Sequence, residues 1–145
     1  MQNNYEEILE KNKILIFVPG GNSMWPTLKN SGQSVVVVPK TGRLKQYDVP
    51  LYKRKDGQYV LHRVMEVTPD GYVMCGDSQF NFEYGVTDDM IIGVMQGYYK
   101  GRKYIDASSK KSYRTALFLH KHPRIKSVAV RLYYFFRARR LRNEK

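Results

Sequence analysis

The sequence has one cysteine, Cys75, and no apolar stretch long enough to cross a membrane. One cysteine excludes an internal disulfide framework, and Cys75 is expected to be a small buried apolar residue rather than a reactive thiol. A spanning helix needs about 18 consecutive apolar residues, and the polar, acidic N-terminus lacks the basic start of a signal peptide. We therefore expect a cytoplasmic or peripherally membrane-associated protein without a signal peptide or transmembrane segment.

Acidic residues are scarce in the last third of the chain. Residues 1–99 contain 10 Lys and Arg against 11 Asp and Glu, whereas residues 100–145 contain 15 against 2. The net charge of +12 therefore arises in the tail. No DNA- or RNA-binding motif accompanies this charge, so no nucleic-acid partner is expected. No cofactor or metal is expected either.

The hydrophobic pattern divides the chain into three parts. Residues 1–12 carry apolar side chains at helical spacing and predict a short N-terminal helix. Residues 13–105 contain short β-rich runs separated by turn signals, including Asn30-Ser31-Gly32, and predict a mainly β, mostly antiparallel domain. Asp56-Gly57 and Asp70-Gly71 each predict a hairpin between two such runs. Residues 106–145 form the basic tail.

The tail predicts a basic amphipathic helix. Pro123 fits a helix start, and Ile125, Val128, Ala129, Leu132 and Phe135 or Phe136 recur at helical spacing among arginines. Such a helix is typical of binding to an anionic membrane surface. The alternative is a helix that packs on the β domain and leaves its basic face in solvent. The two histidines of the tail, His120 and His122, are expected to be solvated. The candidate membrane-contact residues are Arg131, Tyr133, Phe135, Arg137, Arg139 and Arg140.

A candidate nucleophile lies in the segment GGNSMWPTL. Ser23 follows a glycine-rich turn, and Pro26 prevents the next residues from continuing as a regular helix. A nucleophilic serine needs an exposed hydroxyl on a sharply turned backbone with free amide N–H groups nearby. Taken alone, this segment is more typical of an ordinary loop serine, since Gly and Ser are common turn residues.

Two further segments carry groups that could activate this serine. His62 lies within the predicted strand YVLHRVMEV and could take the proton from Ser23. Asp77, in CGDSQFNFE, could orient the imidazole, and Glu83 is a second candidate acid. Gly-Asp is also a common turn pair, so Asp77 alone predicts little.

The three segments together resemble the successive boxes of the S24/S26 serine peptidases, the superfamily of type I signal peptidases and LexA-type repressors. GNSMWPTL, DVPLYKRKDGQYVLHRV and CGDSQFNFEYGVTDDMIIGVM stand in the same order with similar spacing, over roughly residues 14 to 97. The resemblance implies the signal peptidase/LexA-like β fold, with Ser23 as nucleophile and Asp77 as the acid. His62 stands where the endoplasmic-reticulum and archaeal signal peptidases carry histidine and the bacterial enzymes carry lysine.

The resemblance also has departures. Gly21 stands where signal peptidases usually carry a serine that helps to form the oxyanion hole, so backbone N–H groups would have to bind the oxyanion. Met24 would shape the turn rather than react. Ser78 replaces the usual asparagine after Asp77.

The resemblance implies a serine endopeptidase that cleaves a leader or signal segment in an extended peptide through Ser23 and His62. Such a substrate would pair with an exposed strand edge. The alternative is a non-catalytic module that keeps the peptidase fold and binds peptides or membrane. A third, weaker alternative is a LexA-like self-cleaving regulator, although no DNA-binding domain precedes the β domain.

Overall fold

The β-rich runs of the sequence form two antiparallel sheets, with one helix before them and two helices after them. The computed structural model describes residues 4–29 and 32–144. The elements are α1 (Tyr5–Asn12), β1 (Leu15–Phe17), β2 (Val35–Val38), β3 (Pro50–Lys53), β4 (Tyr59–Leu61), β5 (Arg63–Thr68), β6 (Gly71–Cys75), β7 (Glu83–Val86), a 3-10 turn (Asp88–Met90), β8 (Ile91–Lys100), β9 (Lys103–Asp106), α2 (Lys110–Lys121) and α3 (Pro123–Asn143).

Strand β8 organises the larger sheet. The order of this sheet is β1-β2-β8-β3-β4, and β9 also pairs with β8. The ten residues of β8 allow it to pair with β3 near its start, with β2 in its middle and with β9 near its end. Strands β1 and β4 therefore lie at the two ends of this path. The smaller sheet has the order β5-β6-β7.

Local sequence signals explain the N-terminal helix and both hairpins. The Asn4 side chain accepts a hydrogen bond from the Glu7 N–H and caps the start of α1. Gly57 takes a left-handed φ of 90° in the turn between β3 and β4. The predicted hairpins β3–β4 and β5–β6 are both confirmed. Residues 1–3 of the predicted helix and the predicted turn residues Asn30 and Ser31 lie outside the described residues.

Two apolar clusters form the core. The larger one lies under the five-strand path and includes Leu9 of α1 and two residues of the loop between β1 and β2, Met24 and Leu28. The smaller cluster joins the two sheets and is centred on fully buried Tyr52, Val64 and Met74. Cys75 is buried, as predicted, and burial raises the pKa of its thiol. Packing in the larger cluster anchors the loop between β1 and β2, which carries Ser23.

The prediction of one strand over YVLHRVMEV is wrong in detail. Tyr59–Leu61 pairs with β3 in the larger sheet, whereas Arg63 pairs with Cys75 in the smaller sheet. The chain crosses from one sheet to the other at His62, which belongs to neither strand. A run of alternating β-formers does not reveal such a change of partner.

The tail contains two helices rather than the single one that the sequence predicted. Helix α2 precedes α3, and only His122 separates them. The start of α3 at Pro123 is as predicted, because proline is favoured at the first helical position. Within residues 4–29 and 32–144, none of the helices has the length and apolar character needed to cross a membrane.

Candidate active site

Ser23 lies in the loop between β1 and β2, where the chain turns sharply. Gly21 has a φ of +77°, a conformation that favours glycine. The Trp25 N–H donates to the Asn22 carbonyl at 3.0 Å, which closes a turn around Ser23. Met24 is buried in the larger core cluster and anchors the loop, while Ser23 stays partly exposed. The predicted shaping role of Met24 is consistent with this packing.

A second loop, Gly76–Gln79, holds the Ser23 loop in place. The Ser78 N–H donates to the Ser23 carbonyl at 2.9 Å, and the Ser78 hydroxyl donates to the Asn22 carbonyl at 2.8 Å. Gly76 allows this approach, since a Cβ at this position would lie 2.7 Å from the Ser23 carbonyl oxygen. The backbone on both sides of the candidate nucleophile is therefore fixed by residues more than fifty positions away in sequence.

Ser23 and His62 line the same cleft, which has a volume of about 650 Å³. The cleft lies between the ends of the larger sheet, because its walls include Phe17 of β1 and Tyr59 of β4. Gly21 and Met24 also line it, so backbone N–H groups of this loop are the candidates for an oxyanion hole. In the described part of the chain no hydrogen bond joins Ser23 to His62, although both residues line one cleft.

His62 is buried and its ring is oriented by a tyrosine. Its Nδ1 lies 3.4 Å from the Tyr52 hydroxyl oxygen. Burial lowers the pKa of His62 from 6.5 to about 4, so the imidazole is neutral at pH 7. The Tyr52 hydroxyl donates its own hydrogen to Glu83, so its oxygen can accept a hydrogen bond from Nδ1–H of His62. Nε2 then has the free lone pair that a general base needs.

Glu83 accepts a hydrogen bond from the Tyr52 hydroxyl, so it is linked to His62 through Tyr52. The Tyr52 hydroxyl donates to Glu83 Oε2 at 2.8 Å. Arg54 donates to the same carboxylate, with its Nε 2.7 Å from Oε1. Burial raises the pKa of Glu83, but the bonds from Arg54 and Tyr52 outweigh it and lower the pKa overall. The carboxylate is therefore charged at neutral pH and aligns Tyr52 against the imidazole.

In the described part of the chain Asp77 makes no hydrogen bond to His62; it forms a buried ion pair with Arg63. Arg63 donates to both carboxylate oxygens at 2.8 Å, and the Thr27 hydroxyl donates to Oδ2 at 2.5 Å. Burial raises the pKa of Asp77, but the positive charge of Arg63 and these hydrogen bonds bring it down to about 2. The expected role of Asp77 in orienting His62 receives no support from this geometry, which instead makes Asp77 a clamp on the Ser23 loop.

The expectation that His120 is solvated is wrong. Its Nε2 lies 3.4 Å from Asp77 Oδ1, and only 8% of its side chain is exposed. Its other ring nitrogen lies 3.3 Å from the Lys126 ammonium, which also donates to the Gln79 carbonyl. Burial lowers the pKa of Lys126. Sequence reasoning missed the contact with Asp77 because this carboxylate comes from the β domain, far from His120 in sequence. His122 is exposed as predicted.

Helix α3 packs beside the Ser23 loop through one face. The Tyr133 hydroxyl donates to Asn22 Oδ1 at 3.0 Å, and its ring stacks on Trp25 with 4.7 Å between centroids. Tyr134 lines the cleft together with Ser23. Tyr133, predicted to contact membrane, is therefore turned toward the protein, and Arg137 is half-buried. The other predicted contact residues of α3 are exposed: Arg131, Phe135, Arg139 and Arg140.

Sequence reasoning did not identify Tyr52 or Arg63 as site residues. Tyr52 looks like an ordinary strand tyrosine, and only its place in β3, which pairs with β4 just before His62, brings it to the imidazole. Arg63 directly follows His62, and a charged residue between apolar ones was the available signal for a buried ion pair. Among residues 4–29 and 32–144, no group of three or more His, Cys, Asp or Glu side chains could hold a metal ion.

The cleft thus combines a serine on a fixed turn, a neutral buried imidazole and a tyrosine–carboxylate pair behind it. Such an arrangement can activate a hydroxyl for attack on a carbonyl if the serine and the imidazole come within hydrogen-bond distance. A comparison of the chain with protein-family models finds no match, and a comparison with curated proteins finds no similar sequence.

Proposed function

We propose that this chain is a serine endopeptidase in which Ser23 is the nucleophile and His62 the general base. The observation that carries the proposal is the shared cleft, in which Ser23 on a turned loop faces the same space as a buried, neutral imidazole. Catalytic hydrogen bonds are often long in the absence of substrate and tighten when the substrate binds.

The reaction follows from these groups. His62 Nε2 takes the hydroxyl proton as Ser23 Oγ bonds to the peptide carbonyl carbon, and the same proton is then given to the leaving amine as the C–N bond breaks. Water, deprotonated by His62, hydrolyses the acyl ester and returns Ser23 to its free form. Tyr52 and Glu83 act as positioning residues, because they hold the imidazole and do not touch the substrate.

The walls of the cleft favour an extended peptide as substrate. Strands β1 and β4 end the path of the larger sheet on either side of the cleft, so each can offer backbone N–H and C=O groups to an added strand. An extended segment, such as a leader or signal segment, can pair with such edges, whereas a folded one cannot. Such pairing would align one peptide carbonyl with Ser23.

A second candidate function is a peptide-binding module without catalysis. The observation that favours it is the missing hydrogen bond between Ser23 and His62 in the described residues. In such a module the cleft and its strand edges would hold an extended peptide, while Ser23 would be an ordinary loop serine.

Labelling by a serine-directed acylating probe distinguishes the two functions. The wild-type chain is compared with Ser23→Ala, with His62→Ala and with Ser108→Ala, which removes an exposed serine that does not line the cleft. A peptidase is labelled at Ser23, loses labelling in the first two variants and keeps it in the third. If all four folded proteins remain unlabelled, the binding module is favoured. Digestion of an unfolded protein, read by mass spectrometry, then locates the cleavage sites.

A further inference from the structure

Helix α3 presents a second face that is apolar and contacts no part of the described chain closely enough to be buried. Five residues of this face recur at helical spacing, and each exposes between 49% and 61% of its surface. Successive members are separated by about one turn or less, so they form a single stripe about 16 Å long. This outer stripe consists of Ile125, Val128, Leu132, Phe135 and Phe136.

The helix that carries the outer stripe is cationic, and only Arg140 pairs with an acidic residue of the described chain, Glu144 just beyond the helix. Pro123–Asn143 contains six arginines and one lysine without any Asp or Glu. Of these, only Lys126 is buried, and five arginines are exposed. An apolar stripe between cations matches a surface that is negatively charged outside and apolar inside, because arginine side chains can extend toward the charged layer while the stripe enters the apolar one.

We propose that the outer stripe of α3 binds the surface of an anionic lipid bilayer. A second copy of the chain fits less well, since two such helices would bring their cations face to face. An acidic protein would satisfy the arginines, but the paired aromatic rings of Phe135 and Phe136 suit the region between headgroups and acyl chains. Each cation near such a surface adds about 1 kcal/mol to the free energy of binding, so the exposed arginines alone favour binding to an anionic bilayer.

The other face of α3 fixes where the bilayer would lie. Lys126 and Tyr133 hold that face against the loops at Gln79 and Asn22, and Tyr134 reaches the cleft. A bilayer bound by the outer stripe would therefore lie one helix diameter, roughly 10 Å, from the loop that carries Ser23. The lipid binding itself does not depend on whether Ser23 reacts, so it stands or fails separately from the proposed peptidase.

Vesicle sedimentation tests the proposal with the full chain. The probes are phosphatidylcholine vesicles with and without phosphatidylglycerol. We expect binding to the anionic vesicles that exceeds binding to the neutral ones by at least about tenfold and that weakens with added salt. Leu132→Glu should lower the affinity by at least about tenfold, because it removes an apolar contact and adds a like charge to the lipid.

The matched control is Val67→Glu, the same change at an exposed apolar residue of β5. It should keep the affinity within about twofold of the wild type. Circular dichroism checks that both variants fold. Equal losses in the two variants, or no binding by the wild type, would overturn the proposal. The proposal would also be overturned if light scattering showed a dimer that Leu132→Glu dissociates while the protein does not bind vesicles. The outer stripe would then bind a second copy of the chain. Retention on polyglutamate that Leu132→Glu leaves unchanged, without vesicle binding, would identify an acidic protein instead.

Discussion

Asp77 and Arg63 form an ion pair in which both side chains are almost fully buried, at 0% and 2% exposure. Breaking such a pair from one side leaves the other charge without compensation. Asp77→Asn should therefore lower the free energy of unfolding by about 3–5 kcal/mol, as measured by urea denaturation. Asp70→Asn, at an exposed turn position, should leave the free energy of unfolding nearly unchanged. A stable Asp77→Asn that loses only probe labelling would instead assign Asp77 to the chemistry.

The histidine should titrate well below its usual range. Because burial lowers the pKa of His62 to about 4, we expect probe labelling to be constant from about pH 6 to pH 9 and to fall below about pH 5. A rise in labelling through pH 6.5 would contradict this expectation. Proton NMR of the imidazole measures the same pKa directly.

The same shift makes stability depend on pH. The folded protein binds a proton at His62 only near pH 4, whereas the unfolded chain binds it near pH 6.5. Between these two pH values the unfolded state therefore binds more protons than the folded state. The stabilising contribution of neutral His62 to the free energy of unfolding is complete above about pH 6.5 and is lost as the pH falls toward 4. Urea unfolding between pH 5 and about pH 7 measures this slope, which His62→Gln should reduce.

The Tyr52 hydroxyl should matter to the imidazole as well as to stability. Tyr52→Phe removes the acceptor of the Nδ1 proton, and losing one hydrogen bond should slow labelling of Ser23 by about 3- to 10-fold. NMR of the ring nitrogens should show a mixture of tautomers, which a purely structural effect would not produce. The matched control is Tyr72→Phe, whose hydroxyl donates to Asp88 at 2.6 Å away from the cleft. Equal labelling in both variants would remove Tyr52 from the mechanism.

Gly76 should tolerate no side chain. The Cβ of Gly76→Ala would lie 2.7 Å from the Ser23 carbonyl oxygen, so the two loops must separate. We expect a loss of about 1–3 kcal/mol in the free energy of unfolding, together with slower labelling of Ser23. Gly20→Ala is the control, because its Cβ would enter open space. Unchanged stability in Gly76→Ala would mean that the loops are not held as tightly as their hydrogen bonds indicate.

The elements that depend on local signals were predictable from the sequence. Asp56-Gly57 and Asp70-Gly71 fix two hairpins because turn chemistry and flanking β-formers act over a few residues. The fold class followed from these runs. The change of sheet at His62 did not, because it depends on which distant strand each neighbour pairs with.

The sequence identified two residues that share the candidate site, but not the hydrogen bonds that hold them. Ser23 and His62 were identified and do share a cleft, yet the partner expected for His62 was Asp77. In the structure Asp77 pairs with Arg63, and His62 lies beside Tyr52. The sequence does not reveal these pairs, because the direction of each side chain depends on how its strand pairs within the sheets. The same limit applies to His120. A histidine in a basic tail is expected to be exposed to solvent, and its burial depends on a carboxylate that the distant β domain supplies.

The central position of β8 has a consequence for a chain emerging from the ribosome. Strands β1 and β2 form one pair and β3 and β4 another, and β8 alone lies between the two pairs along the path of the sheet. The loop of the first pair carries Ser23, and His62 directly follows the second pair. The larger sheet therefore becomes continuous only after translation has passed Lys100. Until then, the hydrogen bonds from Ser78 to the Ser23 carbonyl and from Arg63 to Asp77 are what can link the Ser23 loop to the segment that carries His62.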